Sequence, residues 1–358
     1  MFKIVTFRIF VQKKIMIIPN PNIESLIKAL RNQKPDSVPI AELGVHPLVK
    51  EKYLGRKILN LKDEIDFWYK AGYDYVKLQP AIDFNPAKIK SDTNLTYNDD
   101  GTVFRKWASE SSGVITSLKE FEEYIFPQTN EIEYENFEEA SKNLPEGMGI
   151  IGQYGDIFTM TWEMMGFENF SFALFEDESL IQMINEKIGE IVLNMFSNMA
   201  EMDCVNILWY SDDIAYTNGL MVSPDTLEKY FFPWLEKIGK IAKKFDKPLI
   251  YHSDGVLFDV MERLIECGIS ALHPIEPKAM DIVEVKKRYR DRIALIGNVD
   301  VDLLARGTKD EIRKNVLFNI ENVGLNGGYC VGSGNSIPEY VSLDNYITMI
   351  ETAKSFSY

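Results

Sequence analysis

Three cysteines in 358 residues, Cys204, Cys267 and Cys330, are too few and too scattered for a disulfide framework, and their odd number leaves at least one thiol free. A reducing, cytoplasmic setting is expected. Basic charge is also short, because 39 Lys and Arg stand against 54 Asp and Glu and give a formal net charge of -15. Nucleic acid and anionic membranes need clustered Lys and Arg to neutralise phosphate, so neither is an expected partner. No apolar run reaches signal-peptide or membrane-spanning length, since Lys3, Arg8, Lys13 and Lys14 interrupt residues 1–18. That segment reads as an N-terminal extension, an arm or a tail, with Met16 as an alternative start. A G-x-G-x-x-G turn opening a helix, a Walker loop and a nucleophile elbow are missing too, which removes the common nucleotide-binding and serine-hydrolase signatures.

What is present is a repeated unit: a short apolar run, a polar or Gly-rich end, then a longer segment at helical spacing. The apolar runs are 38–43, 73–78, 149–153, 205–210, 248–252, 269–275, 293–296 and 328–331. Eight such runs alternating with helices predict parallel strands covered on both faces, closing into a single (β/α)₈ barrel. Helices are expected over 23–32, 61–71, 180–202, 224–245, 257–267, 282–289, 309–323 and 343–356. Ser223-Pro224 places an N-cap before a first-turn proline, and Thr308 with Glu311 forms a capping box. The stretch 80–147 is too long for an ordinary loop and reads as an insertion after the second strand, covering one side of the barrel mouth. Within it, Tyr97 to Phe104 predicts a hairpin turning at Asp100-Gly101. The expected organisation is thus an extension over 1–18 and one barrel domain over 19–358.

The C-terminal ends of barrel strands carry the chemistry, because the following loops converge there. In order these ends offer Glu42, Gln79, Gln153 with Tyr154, Asp212 with Asp213, His252 with Asp254, His273 with Glu276, Asn298 with Asp300, and Cys330 with Ser333 and Asn335. His252 and Asp254 are two apart at the end of the run Leu249-Ile-Tyr-His-Ser-Asp-Gly, so both point the same way and can bind a metal or move a proton. The adjacent carboxylates Asp212 and Asp213 suit acid/base work if their environments separate their pKa values. The glycine-punctuated loops at Gly297-Asn-Val-Asp300 and Gly332-Ser-Gly-Asn335 lack Lys and Arg, which weakens a phosphate reading.

The stretches Asp212-Asp-Ile-Ala-Tyr-Thr-Asn-Gly-Leu-Met-Val-Ser-Pro, Tyr251-His-Ser-Asp-Gly, His273-Pro-Ile-Glu-Pro, Gly297-Asn-Val-Asp and Gly327-Gly-Tyr-Cys-Val-Gly-Ser-Gly-Asn-Ser-Ile-Pro resemble the uroporphyrinogen decarboxylase superfamily. That superfamily also contains zinc methyltransferases acting on corrinoid proteins. The resemblance covers most of the chain and implies a distorted (β/α)₈ TIM barrel. The decarboxylase branch resembles itself in an Arg-rich N-terminal motif, whereas Ser37-Val-Pro-Ile-Ala-Glu-Leu-Gly-Val-His-Pro has no arginine. A pocket lined by Glu42, Asp212 and Asp213 would repel a polycarboxylate substrate.

The methyltransferase branch resembles His-x-Cys followed much later by Cys, which hold zinc. Here His252 and Cys330 match, and Asp254 stands in place of the middle cysteine. An oxygen ligand there makes zinc a stronger Lewis acid and admits harder ions. The resemblance implies methyl transfer between methylcobalamin on a partner corrinoid protein and a thiol or folate acceptor. The expected metal ligands are His252, Asp254 and Cys330, and the expected acid/base groups are Glu42, Asp212, Asp213 and Glu276. Gln79, Gln153, Tyr154, Asn298, Asp300, Ser333 and Asn335 are expected against substrate. The alternatives are a metal-free decarboxylase acting on a tetrapyrrole or other small acid, and a non-catalytic tetrapyrrole or corrinoid binding protein. Self-association is compatible with a barrel of this size.

Overall fold

The computed structural model describes residues 18–82, 96–97, 103–104 and 113–356. The N-terminal extension up to residue 17 and the Asp100-Gly101 turn lie outside the described residues. The flanks of that expected hairpin are present as an antiparallel pair, Thr96 opposite Phe104 and Tyr97 opposite Val103.

Seven parallel strands form one curled sheet in sequence order: β1 (Tyr75–Leu78), β2 (Gly149–Gly155), β3 (Val205–Ser211), β4 (Leu249–His252), β5 (Ala271–His273), β6 (Ala294–Val299) and β7 (Tyr329–Ser333). Each strand has a helical connection to the next, which is the architecture of a distorted TIM barrel. Their residues are almost continuously buried, as expected of strands covered on both faces. No helix among the described residues is long and apolar enough to cross a membrane.

The eighth run, residues 38–43, pairs beside β7 through a single parallel bridge at Ile40 and Val331. Pro39 has no N–H to extend that ladder, and its carbonyl accepts from Val331 N at 2.9 Å. On its other side a side chain replaces the ladder. The Tyr75 hydroxyl accepts from Glu42 N at 2.9 Å and lies 3.3 Å from Glu42 O. The distortion of the barrel is concentrated where this run meets β1 and β7.

The helices follow the apolar periodicity, with differences that have local causes. The segment expected as one helix over 224–245 is two, Pro224–Tyr230 and Phe232–Lys244, with the break just ahead of Pro233. The segment 309–323 leaves α geometry at Ile320 for a π turn through Gly324. Thr308 and Glu311 form the expected capping box. The Met-rich run before Gly166 is a helix, Ile157–Met165, with Met160, Met164 and Met165 buried.

Candidate metal centre at the barrel mouth

The strand β4 ends at His252, in register with Ser211 of β3 and His273 of β5. His252 Nε2 faces Asp213 Oδ1 at 3.8 Å, and Asp213 Oδ1 accepts from Asp254 N at 2.9 Å. One ligand atom from each of Asp213, His252 and Asp254 fits within a set whose members all lie within 4.8 Å of one another. The turn that delivers Asp254 depends on Gly255, whose φ is +88°. A Cβ there would lie 2.6 Å from Ala215 C and Tyr216 O. Gly255 N donates to Glu276 Oε2 at 3.0 Å, so Glu276 fixes the loop and borders the cluster.

The electrostatics favour a cation. Burial first, and then the negative Asp213 and Glu276, push the Asp254 carboxyl up to about 8 against the opposing Asn335 amide. Asn335 Nδ2 donates to Asp254 Oδ2 at 2.5 Å, while Asp254 Oδ1 is buried with no partner among the described residues. Two carboxylates and an imidazole form an O,N,O donor set that suits zinc or a harder divalent ion, and the unsatisfied oxygen is where such an ion would be held. Asp254, Glu276, Asp300 and Asn335 also line a cleft of roughly 570 Å³ that opens beside the cluster.

His252 is oriented from behind, its Nδ1 lying 2.8 Å from His273 Nδ1. Burial lowers the pKa of both rings. In His273 the neighbouring His252 and Lys77 lower it further, and in His252 Asp213 partly offsets the effect.

The two adjacent carboxylates separate into different settings. Asp212 is buried and accepts from Tyr210 Oη at 2.6 Å and from the backbone N–H groups of Phe158 and Thr159 at 2.7 and 2.9 Å. It anchors the start of the helix Ile157–Met165. Burial raises its pKa to about 6 against those three hydrogen bonds. Asp213 is the member that joins the cluster.

Glu42 is fully buried and accepts from Ser333 N at 2.8 Å and Ser333 Oγ at 2.6 Å. Burial raises it to about 8 despite those bonds and the positive Lys77. Cys330, expected beside His252, is not in the cluster. Ser333 turns inward to Glu42, so strand alternation turns Cys330 to the opposite face. Its thiol is pushed up by burial, and the charges acting on it are Asp74 and Lys354 of the C-terminal helix.

The other expected substrate groups are spread around the mouth. Gln153 Nε2 donates to Ser211 Oγ at 3.1 Å, Tyr154 Oη donates to Ile82 O at 3.5 Å, and Asn298 Nδ2 donates to Ile275 O at 2.6 Å. Asp300 caps the helix Val301–Arg306 as well as lining the cleft. Gln79 is exposed, its carbonyl accepting from Asn136. Two interior residues were missed in the sequence, Lys77 and Trp209. The Lys77 ammonium sits 4.9 Å from the Trp209 ring centroid. The signal for Lys77 was its place as a lone lysine in the apolar run before Gln79.

Residues 96–356 match the uroporphyrinogen decarboxylase (URO-D) family. A uroporphyrinogen decarboxylase from Chlorobium phaeobacteroides is 24% identical over 302 residues, covering 79% of this chain and 82% of that protein. A solved methyltransferase from Methanosarcina mazei shares the fold with a TM-score of 0.65 at 16% identity, over 93% of this chain and 98% of that one.

Proposed function

Because the chain belongs to the uroporphyrinogen decarboxylase family, we propose that it is a metal-dependent methyltransferase, moving a methyl group between a corrinoid on a partner protein and a thiol or folate acceptor. The observation that carries this reading is the Asp213, His252 and Asp254 cluster with its unsatisfied, buried Asp254 oxygen. A divalent metal held there would lower the pKa of a thiol acceptor and make it nucleophilic at neutral pH. The protein's own groups do the rest. His273 fixes the His252 ring, Glu276 holds the Gly255 turn, and Glu42 carries a proton at neutral pH for acid/base exchange. Asp300 and Asn335 border the cleft in which the acceptor would lie. A methyltransferase with the same fold supports the branch.

The test is elemental analysis of protein purified without chelators, followed by loss of methylcobalamin absorbance on adding a thiol. About one metal ion per chain is expected, and His252→Ala and Asp254→Ala should both lose it. A metal-free wild-type protein overturns the reading. The sequence relative named above favours a second reading, a decarboxylase without metal. Against it stands the acidic mouth of Asp213, Glu276 and Asp300, which repels a polycarboxylate. Porphyrinogen turnover by metal-free protein would establish that alternative.

A further inference from the structure

Inside the barrel, behind the candidate metal cluster, three polar nitrogens have no hydrogen-bond partner among the described residues: Lys77 Nζ, Trp209 Nε1 and His273 Nε2. Their side chains are neighbours. Lys77 Nζ is 4.9 Å from the Trp209 ring centroid, and the Trp209 and His273 ring centroids are 5.1 Å apart. Buried polar groups in folded proteins are almost always paired, so three orphans in one place mark a missing partner.

The chemistry of that partner follows from the nitrogens. An indole N–H is only a donor, and an ammonium is only a donor. The third depends on a tautomer. Two neutral imidazoles sharing an Nδ1 to Nδ1 contact hold one proton between those atoms. If His252 gives its Nε2 lone pair to a metal, its own proton sits on Nδ1, His273 Nδ1 accepts, and His273 Nε2 carries the remaining proton. That step alone rests on the function proposed above. The site then presents three donors and no acceptor.

We propose that Lys77, Trp209 and His273 form a subsite for one carboxylate group, held inside the barrel between β1, β3 and β5. A single negative charge suits it better than two, because Glu42 lies within electrostatic reach of Lys77 and is neutral only while it keeps its proton. A carboxylate also has two oxygens to share among three donors, whereas a neutral ligand would leave the ammonium uncompensated. Lys77 is half-buried and its nitrogen is shut in, so the ammonium is out of contact with bulk solvent. Burial, with Lys50 nearby, lowers the Lys77 pKa to about 7, so a bound anion would draw a proton onto it.

The test is calorimetric titration of the full chain with sodium acetate against sodium chloride at equal ionic strength, beside the indole N–H spectrum of ¹⁵N-labelled protein. Saturable acetate binding is expected, with proton uptake revealed by buffers of different ionisation heat. The indole resonance absent from Trp209→Phe should shift on titration. Lys77→Met should weaken binding by about tenfold or more and abolish proton uptake, and Lys77→Arg should recover part of the affinity. Lys77→Gln, checked by circular dichroism, serves if the methionine variant does not fold. Unsaturable acetate binding, or equal binding by wild type and both neutral Lys77 variants, overturns the subsite. Metal content is measured separately, so this outcome is independent of the metal reading.

Discussion

His252 and His273 face each other through their Nδ1 atoms at 2.8 Å, at the ends of adjacent strands in register. Both rings are buried and both are held below the usual histidine range, so the contact joins two neutral imidazoles. A metal-ligating histidine needs its other nitrogen hydrogen-bonded to fix ring and tautomer, and a second histidine fills that role here. His273→Phe should therefore keep the fold and lower metal affinity by about 10- to 100-fold, read by competition with a chelator. Unchanged affinity would remove His273 from the site.

Much of this arrangement is legible in the sequence. The strand-end pattern brings His252, Asp254 and Asp213 to one mouth, and seven of the eight apolar runs become strands. The rest depends on contacts that spacing cannot show. Asp212 and Asp213 look equivalent until the helix start at Ile157–Thr159 claims Asp212. Lys77 reads as one polar residue in an apolar run because its surroundings come from three other strands. Asn335, expected only against substrate, becomes the partner of Asp254 through a loop 81 residues away.

The Gly255 turn is a tight backbone passage beside the cluster. Its φ of +88° already disfavours a side chain, and a Cβ would press on Ala215 and Tyr216. Gly255→Ala should cost about 1–3 kcal/mol in urea unfolding, from strain at a left-handed position. It should also displace Asp254 and Glu276 together, so metal content should fall more than stability alone explains.

Glu42 provides a pH signature with a defined sign. Its folded pKa, about 8, is above the ordinary 4.5, so the folded state binds the proton more tightly than the unfolded chain. Its contribution to stability is full below about 4.5 and is lost as pH rises toward 8. Lys77, with a pKa of about 7, loses part of its proton only toward the top of the interval from pH 5 to 7, and it does so in wild type and variant alike. Glu42→Gln has no such loss. Its stability relative to wild type should rise across that interval by an amount on the order of a few kcal/mol, measured as paired denaturation curves. A pH-independent difference would show that Glu42 is ionised in the folded protein.

Cys330 separates the geometry from the sequence motif. The motif places it beside His252 as a ligand, whereas alternation along β7 turns it away from Ser333 and Glu42, and its thiol is fully buried. A thiol raised by burial is a poor nucleophile and a poor ligand, because both roles need the thiolate. Cys330→Ala should therefore retain the wild-type metal content at a cost of about 1 kcal/mol for the lost buried sulfur. Native protein should resist alkylation at this position until it is unfolded, as read by mass spectrometry of the Cys330 peptide. Loss of metal in Cys330→Ala, alongside a normal circular dichroism spectrum, would require β7 to turn its cysteine inward and would return the site to a sulfur-containing set.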